Sequence, residues 1–557
     1  MRRSRLVNPE CSYLGRLLLV GLVLVTGLAL SACRPEPAEQ ASPTATTMDP
    51  PEGGPRLVLL LVVDQFSADE LERVAPYFTG GFRRLLDQGV SFTEAYHAHA
   101  LTETAPGHAT LATGSFPRHH GIVSNWWIEE GNLVSQWAID DDLYDESPRE
   151  LERATLGDWI KATYPKSKVF SASGKDRAAI LMGGMEADGA FWYDEEIGGY
   201  ETSEYYDEPA WLDAFNEQKL LNVRFGEMWE PLPLAPETVE ELQLQKLGFG
   251  PLLNELPMTI GPPRPAPDES FYAAVRDSPW WDETLAQFAR FIVEAEDLGA
   301  DANPDLLALS FSAADYVGHD HGPHSREYID VLMRLDRTVG ELLDFIDERV
   351  GLENTVVGWS ADHGVVPVPE VRRRQGLAGQ RVTSETVRCL QSVGERLADR
   401  YGVEGWLIAG PRLAPGLVEA TGRSRPDLEE ETAQLLEQCP AIEAVWTGSE
   451  LLEEVDESDS ARWLYANCFY PERSPDFLLQ FEEHFMPSVG SVTTHGSLYS
   501  YDTHVPFVVL APGLEPENLD IPVRTVDLAP TLANLAGIPI PDGVDGWAVI
   551  DPATPSP

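Results

Sequence analysis

Lysine is scarce in this sequence. Only Lys161, Lys166, Lys168, Lys175, Lys219 and Lys246 occur among 557 residues, beside 34 arginines. Positive charge is short altogether, with 40 Lys+Arg against 91 Asp+Glu and a formal net charge of -51. A nucleic-acid binder needs a basic surface to displace counterions from phosphates, so the sign of the charge excludes that class. Five cysteines in this length are too few for a fold built on disulfides. Only one long apolar run is present, which excludes a polytopic membrane protein. Core-forming residues are plentiful: 43% of the chain is hydrophobic and 14 residues are Trp, which argues against disorder. The length suggests roughly three to four domain-sized units.

The apolar run lies at the N-terminus. Arg2, Arg3, Arg5 and Arg16 form a basic head, residues 17–30 a short apolar stretch, and Leu30-Ser31-Ala32-Cys33 resembles a bacterial lipobox. In such signals cleavage precedes the cysteine, which is then lipidated. Residues 1–32 are therefore expected to be a lipoprotein signal peptide and residues 33–55, rich in Pro, Ser and Thr, a solvated tether. The remainder is expected outside the cytoplasmic membrane, anchored by lipid on Cys33 on the periplasmic side or at the outer membrane of a bacterium. Cys389, Cys439 and Cys468 leave room for one disulfide whose pairing the sequence does not reveal.

Short apolar runs at residues 57–63 (LVLLLVV), 306–311 (LLALSF), 355–358 (TVVG) and 505–510 (VPFVVL) read as buried strands. Residues 68–88 and 326–350 between them have helical spacing, as in Tyr328, Val331, Leu332, Leu335, Val339, Leu342 and Leu343. Strands alternating with helices predict an α/β fold with a mainly parallel central sheet covered on both faces. Core sequence is expected at 56–364 and again at 491–557. Residues 365–490, with an acidic patch and few strand signals, read as an inserted cap. The aromatic and acidic stretch 191–207 reads as a second excursion from the core.

The residues after each strand carry the chemistry. Asp64 follows the first run; Asp315 and His319 follow the second; Asp362, His363 and Gly364 follow the third. Ligands of open α/β sheets bind at the carboxyl ends of strands, so these groups are expected to converge. Carboxylates are costly to bury without a partner, and three of them with imidazoles nearby point to a shared cation. Oxygen and nitrogen donors without thiolates suit Zn2+, with Mn2+ or Mg2+ as alternatives. His119, His120, His321 and His324 sit in polar contexts and read as solvated or capping groups. In Thr102–Gly114 (TETAPGHATLATG), Thr104 precedes Ala-Pro and reads as a helix N-cap. A hydroxyl there feels the positive end of the helix dipole, and a nearby cation would lower its pKa further.

Together, Asp64, the TAPGH segment, Asp315-x-x-x-His319 and Asp362-His363-Gly364 resemble the alkaline phosphatase superfamily. Further segments, Gly121-Ile-Val-Ser-Asn125-Trp, Ser173-Gly-Lys175-Asp-Arg177 and Thr494-His-Gly-Ser…Tyr501-Asp-Thr-His504-Val-Pro506, resemble its Thr-dependent, phosphate-irrepressible bacterial alkaline phosphatases. The resemblance implies two zinc ions. One would be held by Asp315, His319 and His504, the other by Asp64, Asp362 and His363, with the Thr104 oxygen reaching the latter. It implies a phosphothreonine intermediate on Thr104, with Asn125, Lys175 and Arg177 holding the phosphoryl oxygens, and it assigns His495 a structural part. A Lys-x-Arg pair beside the nucleophile suits the dianion of a small phosphate monoester. The related nucleotide pyrophosphatase/phosphodiesterases lack that pair as a family, and diester hydrolysis is the alternative. A third reading, an inactive ligand-binding surface lipoprotein, requires a missing ligand, yet every expected position is filled. The sequence does not define the oligomeric state.

Overall fold

The structure, a computed structural model, describes residues 48–128, 135–235, 237, 238, 242, 256–408, 411–488 and 490–551. The signal peptide, Cys33 and most of the tether lie outside the described residues. Among those described, no helix is long and apolar enough to cross a membrane.

Nine strands form one sheet: β1 (Leu57–Val63), β2 (Val90–Tyr96), β3 (Val169–Ser173), β4 (Gly189–Asp194), β5 (Gly199–Glu201), β6 (Asp305–Phe311), β7 (Thr355–Ser360), β8 (Phe507–Leu510) and β9 (Glu517–Arg524). Their order is β9-β2-β8-β7-β1-β6-β3-β4-β5. Only β5 and β8 run against the others, so the expected mainly parallel α/β sheet is borne out. The sequence of β1 shows why it sits centrally. Leu57, Leu59, Leu61 and Val63 enter one apolar cluster and Val58, Leu60 and Val62 the other, so both faces are covered and the strand reads as an unbroken apolar run.

Helices cover the two faces. On the odd-numbered side of β1 the long helix Arg326–Arg349 presents Val331, Leu335, Val339, Leu342 and Ile346 at helical spacing. On the even-numbered side Leu156–Thr163 and Leu528–Leu535 supply Trp159, Ile160, Leu528 and Leu532. The expected helical stretch 68–88 is broken into two helices, Ala68–Val74 and Gly81–Gln88, because Pro76 and Gly80 interrupt it.

Residues 191–207 are not an excursion. Their first half is β4 and β5 at the sheet edge, where Phe191, Trp192 and Tyr200 are buried. The stretch 365–490 contains more strand than its composition indicates. Ile442–Thr447 pairs antiparallel with Phe477–Phe481. Two helices, Ser384–Tyr401 and Arg425–Leu436, pack with them around Trp406, Leu428 and Phe477. Cys389 and Cys439 form a disulfide across this cluster, while Cys468 is a buried thiol.

Register positions the chemistry. Val63 is level with Phe311, Val62 with Ser360, and Ser310 with Ser173. Four neighbouring parallel strands therefore end together, and the residues following each meet at one edge of the sheet.

Candidate active site

Asp64, Asp315, Asp362, His363 and Thr104 are brought together there, each no more than 1% exposed. Thr104 opens the helix Thr104–Thr113, here α1; the cap position is held by Glu103, one residue earlier than expected. The Thr104 hydroxyl still lies at the positive end of the helix. α1 reaches the site because Gly107 has no side chain: a Cβ there would lie 2.2 Å from the Asp362 carbonyl oxygen. His108, one turn on, is held by both ring nitrogens, Nδ1 at 2.8 Å from the Thr104 carbonyl and Nε2 at 2.7 Å from Ser310 Oγ. Its Nδ1 is also 3.3 Å from Asp362 Oδ2. His108 thus ties α1 to the Asp362 carboxylate, a contact that its place in TAPGH did not disclose.

Lys175 lies between the carboxylates, 4% exposed, with Nζ 2.8 Å from Asp64 Oδ2, 2.6 Å from Asp315 Oδ2 and 3.4 Å from Thr104 Oγ1. It caps the helix Asp176–Gly183, whose second residue is Arg177, also buried. Asn125 approaches from a separate loop. Its Oδ1 accepts from the Ala105 N–H at 2.8 Å, which leaves its NH2 as a donor. Its backbone N–H donates to Glu103 Oε2 at 2.8 Å, and Ser124 Oγ donates to the same oxygen at 2.7 Å. Glu103 therefore orients Asn125, a part its sequence position gave no reason to assign.

Metal ligation is tested by the unpaired atoms. Among the described residues, Asp64 Oδ1 and His363 Nε2 are buried and lack hydrogen-bond partners, while the buried Asp315 Oδ1 and Asp362 Oδ2 are met by imidazoles alone. His363 Nε2 is 3.6 Å from Asp64 Oδ1 and 3.5 Å from Asp362 Oδ2. His319 Nε2 is 3.2 Å, and His495 Nε2 3.9 Å, from Asp315 Oδ1. In all three imidazoles Nδ1 meets a backbone carbonyl: Gly364 for His363, Thr493 for His319 and Thr102 for His495, at 2.9, 2.9 and 2.7 Å. An Nδ1–H donated to a carbonyl fixes the tautomer that offers Nε2 to a cation. Orphaned buried acceptors, three carboxylates and three such rings fit divalent cations bound by oxygen and nitrogen.

This geometry corrects the reading of His504. Its ring stacks on Tyr96 at a centroid distance of 4.4 Å, and its Nε2 donates to the Thr93 carbonyl at 2.8 Å, the reverse tautomer to that of the other three. Its backbone bridges to Tyr96, and β8, being antiparallel, starts at the edge where β7 ends, so the ring is withheld from the carboxylates by its own partners on β2 and not by its place in the sheet. His495, expected to be structural, occupies the place beside Asp315, with its ring stacked on His363 at 3.5 Å. His120 is also unlike its expectation. It is fully buried, 3.1 Å from Thr110 Oγ1, and burial lowers its pKa to about 3.

Charges in the site are strongly biased by burial. Burial first, and then the Asp362 charge, raise the Asp64 carboxyl well above the ordinary range. Burial also works to raise Asp315, but Lys175 and His319 hold it well below that range. His495 is held well below the usual imidazole value by burial and by His363, which keeps the ring neutral as a ligand requires.

Residues 58–497 match the family model described as type I phosphodiesterase / nucleotide pyrophosphatase. The chain belongs to this family, within the alkaline phosphatase superfamily. It is 32% identical over 519 residues to alkaline phosphatase PhoK of a Sphingomonas species, covering 88% of this chain and 90% of that one. It is 31% identical over 563 residues to alkaline phosphatase PhoD of Zymomonas mobilis, covering 95% and 94%. The crystal structure of wild-type alkaline phosphatase PafA superposes with a TM-score of 0.80 at 26% identity, covering 89% of this chain and 98% of PafA. The expectation of a hydrolase of the alkaline phosphatase kind is borne out by these relatives, and so is the expected fold.

Proposed function

We propose that this protein hydrolyses small phosphate monoesters through a phosphothreonine on Thr104, with one cation held by Asp315, His319 and His495 and another by Asp64, Asp362 and His363. The observation that carries this reading is the Lys175 ammonium 3.4 Å from Thr104 Oγ1, with Arg177 two residues beyond it and the Asn125 amide anchored at Ala105. A monoester dianion exposes three non-bridging oxygens, and two cationic side chains with an amide donor match that charge. When bound, the cations, zinc by donor type, supply Lewis-acid neutralisation of the charge on the attacking and leaving oxygens.

The chain's own residues do the rest. The α1 dipole and Lys175 favour the ionised Thr104 oxygen. That oxygen bonds to phosphorus as the ester P–O bond breaks in line, and the departing alcohol oxygen takes up a proton. Asn125, Lys175 and Arg177 hold the equatorial oxygens in place. Water then attacks phosphorus from the vacated side, the P–Oγ bond breaks, phosphate leaves and Thr104 regains its proton. Diester hydrolysis is the second reading, favoured by the family description alone.

The deciding test is kcat/KM for an aryl monoester beside its methyl diester, with metal content measured on the same sample. Monoester preference with two cations per chain is expected, and a preference for the diester would overturn the reading. Thr104→Ala should abolish monoester turnover while keeping both cations. We further propose export with lipid on Cys33, supported by the Leu30-Ser31-Ala32-Cys33 segment; labelling with a radioactive fatty acid, lost in Cys33→Ser, tests it.

A further inference from the structure

A second cavity begins where the candidate active site ends. Glu103, Ser124 and His495 are among its lining residues, and each is a neighbour or member of the catalytic set: Glu103 precedes Thr104, Ser124 precedes Asn125, and His495 stacks on His363. The stretch 365–490 contributes Leu478, Phe481 and Phe485 to the lining, and Trp127 joins them. The volume is about 200 Å3. Its two arginines are engaged elsewhere. Arg473 donates to the Gly121 and Glu150 carbonyls and lies over the Trp127 ring at 5.0 Å, and Arg412 donates to the Arg473 carbonyl. Neither is disposed as a second anion site. The remaining surface is mainly apolar and aromatic.

We infer that this cavity receives the alcohol portion of the ester and selects substrates whose alcohol carries one aromatic ring. The inference rests on the phosphatase reading above and specifies its substrate class. In-line displacement sends the ester oxygen away from Thr104, toward the cation that Asp315, His319 and His495 would hold, and His495 is the part of the site that the cavity shares. The size fits a single ring, since apolar cavities of about 150 Å3 bind benzene. Apolar walls with few convergent polar groups match the usual character of a small-molecule site. The inserted region thereby acquires a task, roofing the leaving group.

The test compares 2-phenylethyl phosphate with ethyl phosphate. Both leave as primary alkyl alcohols, so intrinsic leaving ability is nearly matched and the ring is the main difference. The wild-type enzyme should favour the phenylethyl ester in kcat/KM by at least about tenfold. Leu479→Trp, which fills the cavity from a half-buried lining position, and Trp126→Ala, which opens its wall, should each erase most of that preference while leaving ethyl phosphate turnover within a few-fold. Equal kcat/KM for the two esters in the wild type would overturn the inference, as would an unchanged ratio in both variants. Failure to hydrolyse either ester would sink the phosphatase reading itself, and the two failures are therefore distinguishable. The wild-type ratio needs no variant, so a misfolded substitution cannot rescue the idea.

Discussion

Gly107→Ala is the sharpest test of the site's geometry. The added methyl would sit 2.2 Å from the Asp362 carbonyl oxygen and 2.8 Å from the Asp362 Cβ. Comfortable contact for such atoms is about 3.5 Å, so α1 and the end of β7 must part by roughly 1 Å. Backbone lies on both sides of the contact, and no flexible side chain can swing away to relieve it. Overpacking of this kind costs about 1–3 kcal/mol of stability. The catalytic cost should be larger in proportion. Thr104 lies three residues before Gly107 on the same helix, and Asp362 is a member of the carboxylate set, so the substitution pulls the Thr104 hydroxyl and the Asp362 carboxylate apart directly. A misplacement of about 1 Å at reacting groups costs about 100-fold in rate. Steady-state kcat/KM for an aryl phosphate, with thermal unfolding and metal content on the same preparation, measures both effects. Gly394→Ala is the matched control, because its added methyl meets nothing closer than 3.8 Å. A folded Gly107→Ala enzyme within threefold of wild type would refute the close-approach argument.

Three other outcomes are expected. His495→Ala should lose one cation and more than about 100-fold in activity, whereas His504→Ala should keep both cations and most activity; metal analysis of the two variants decides between them. Lys175→Ala should depress monoester hydrolysis far more than diester hydrolysis, and equal losses would remove its assigned part in binding the dianion. Burial raises the Asp158 pKa to about 6 in the folded chain against an ordinary 3.8. The native state therefore holds more protons than the unfolded state between those values, and this group's contribution to stability falls as pH rises through that window. Urea unfolding at pH 4 and pH 6.5 should show a smaller loss on going to the higher pH in Asp158→Asn than in the wild type.

The central strands were legible because burial on both faces leaves no polar residue to interrupt the run, as in β1. The carboxylates were legible because each directly follows such a strand, and strand ends carry ligands in this fold class. Position along the chain could not separate His495 from His504. Neither follows a parallel strand, and the difference between them is a tautomer set by a backbone carbonyl from another segment. β4 and β5 resemble a loop in composition because Asp194 at the end of β4, with Glu195 and Glu196 in the turn joining the two strands, directly follows the buried aromatics. The strand pair Ile442–Thr447 and Phe477–Phe481 was hidden for a similar reason, since Glu443 and Gln480 interrupt its apolar positions. The Cys389–Cys439 pairing followed only from the packing of two helices around Leu428 and Trp406.

The sheet order also sets a timetable for synthesis. Among the described residues, β2 pairs in the sheet with β8 and β9 alone, as in Val90 with Val509 and Glu517, so its partners emerge more than 400 residues later. At about 5–20 residues per second, that strand waits roughly 20 to 80 seconds for them. Throughout that interval Phe92 lacks the Phe507 ring that meets it edge-on at 5.2 Å, and Val90 lacks Val509. Shortening the chain from its C-terminus, even by a segment far from every catalytic residue in sequence, should thus leave a sticky intermediate in place of a weaker enzyme.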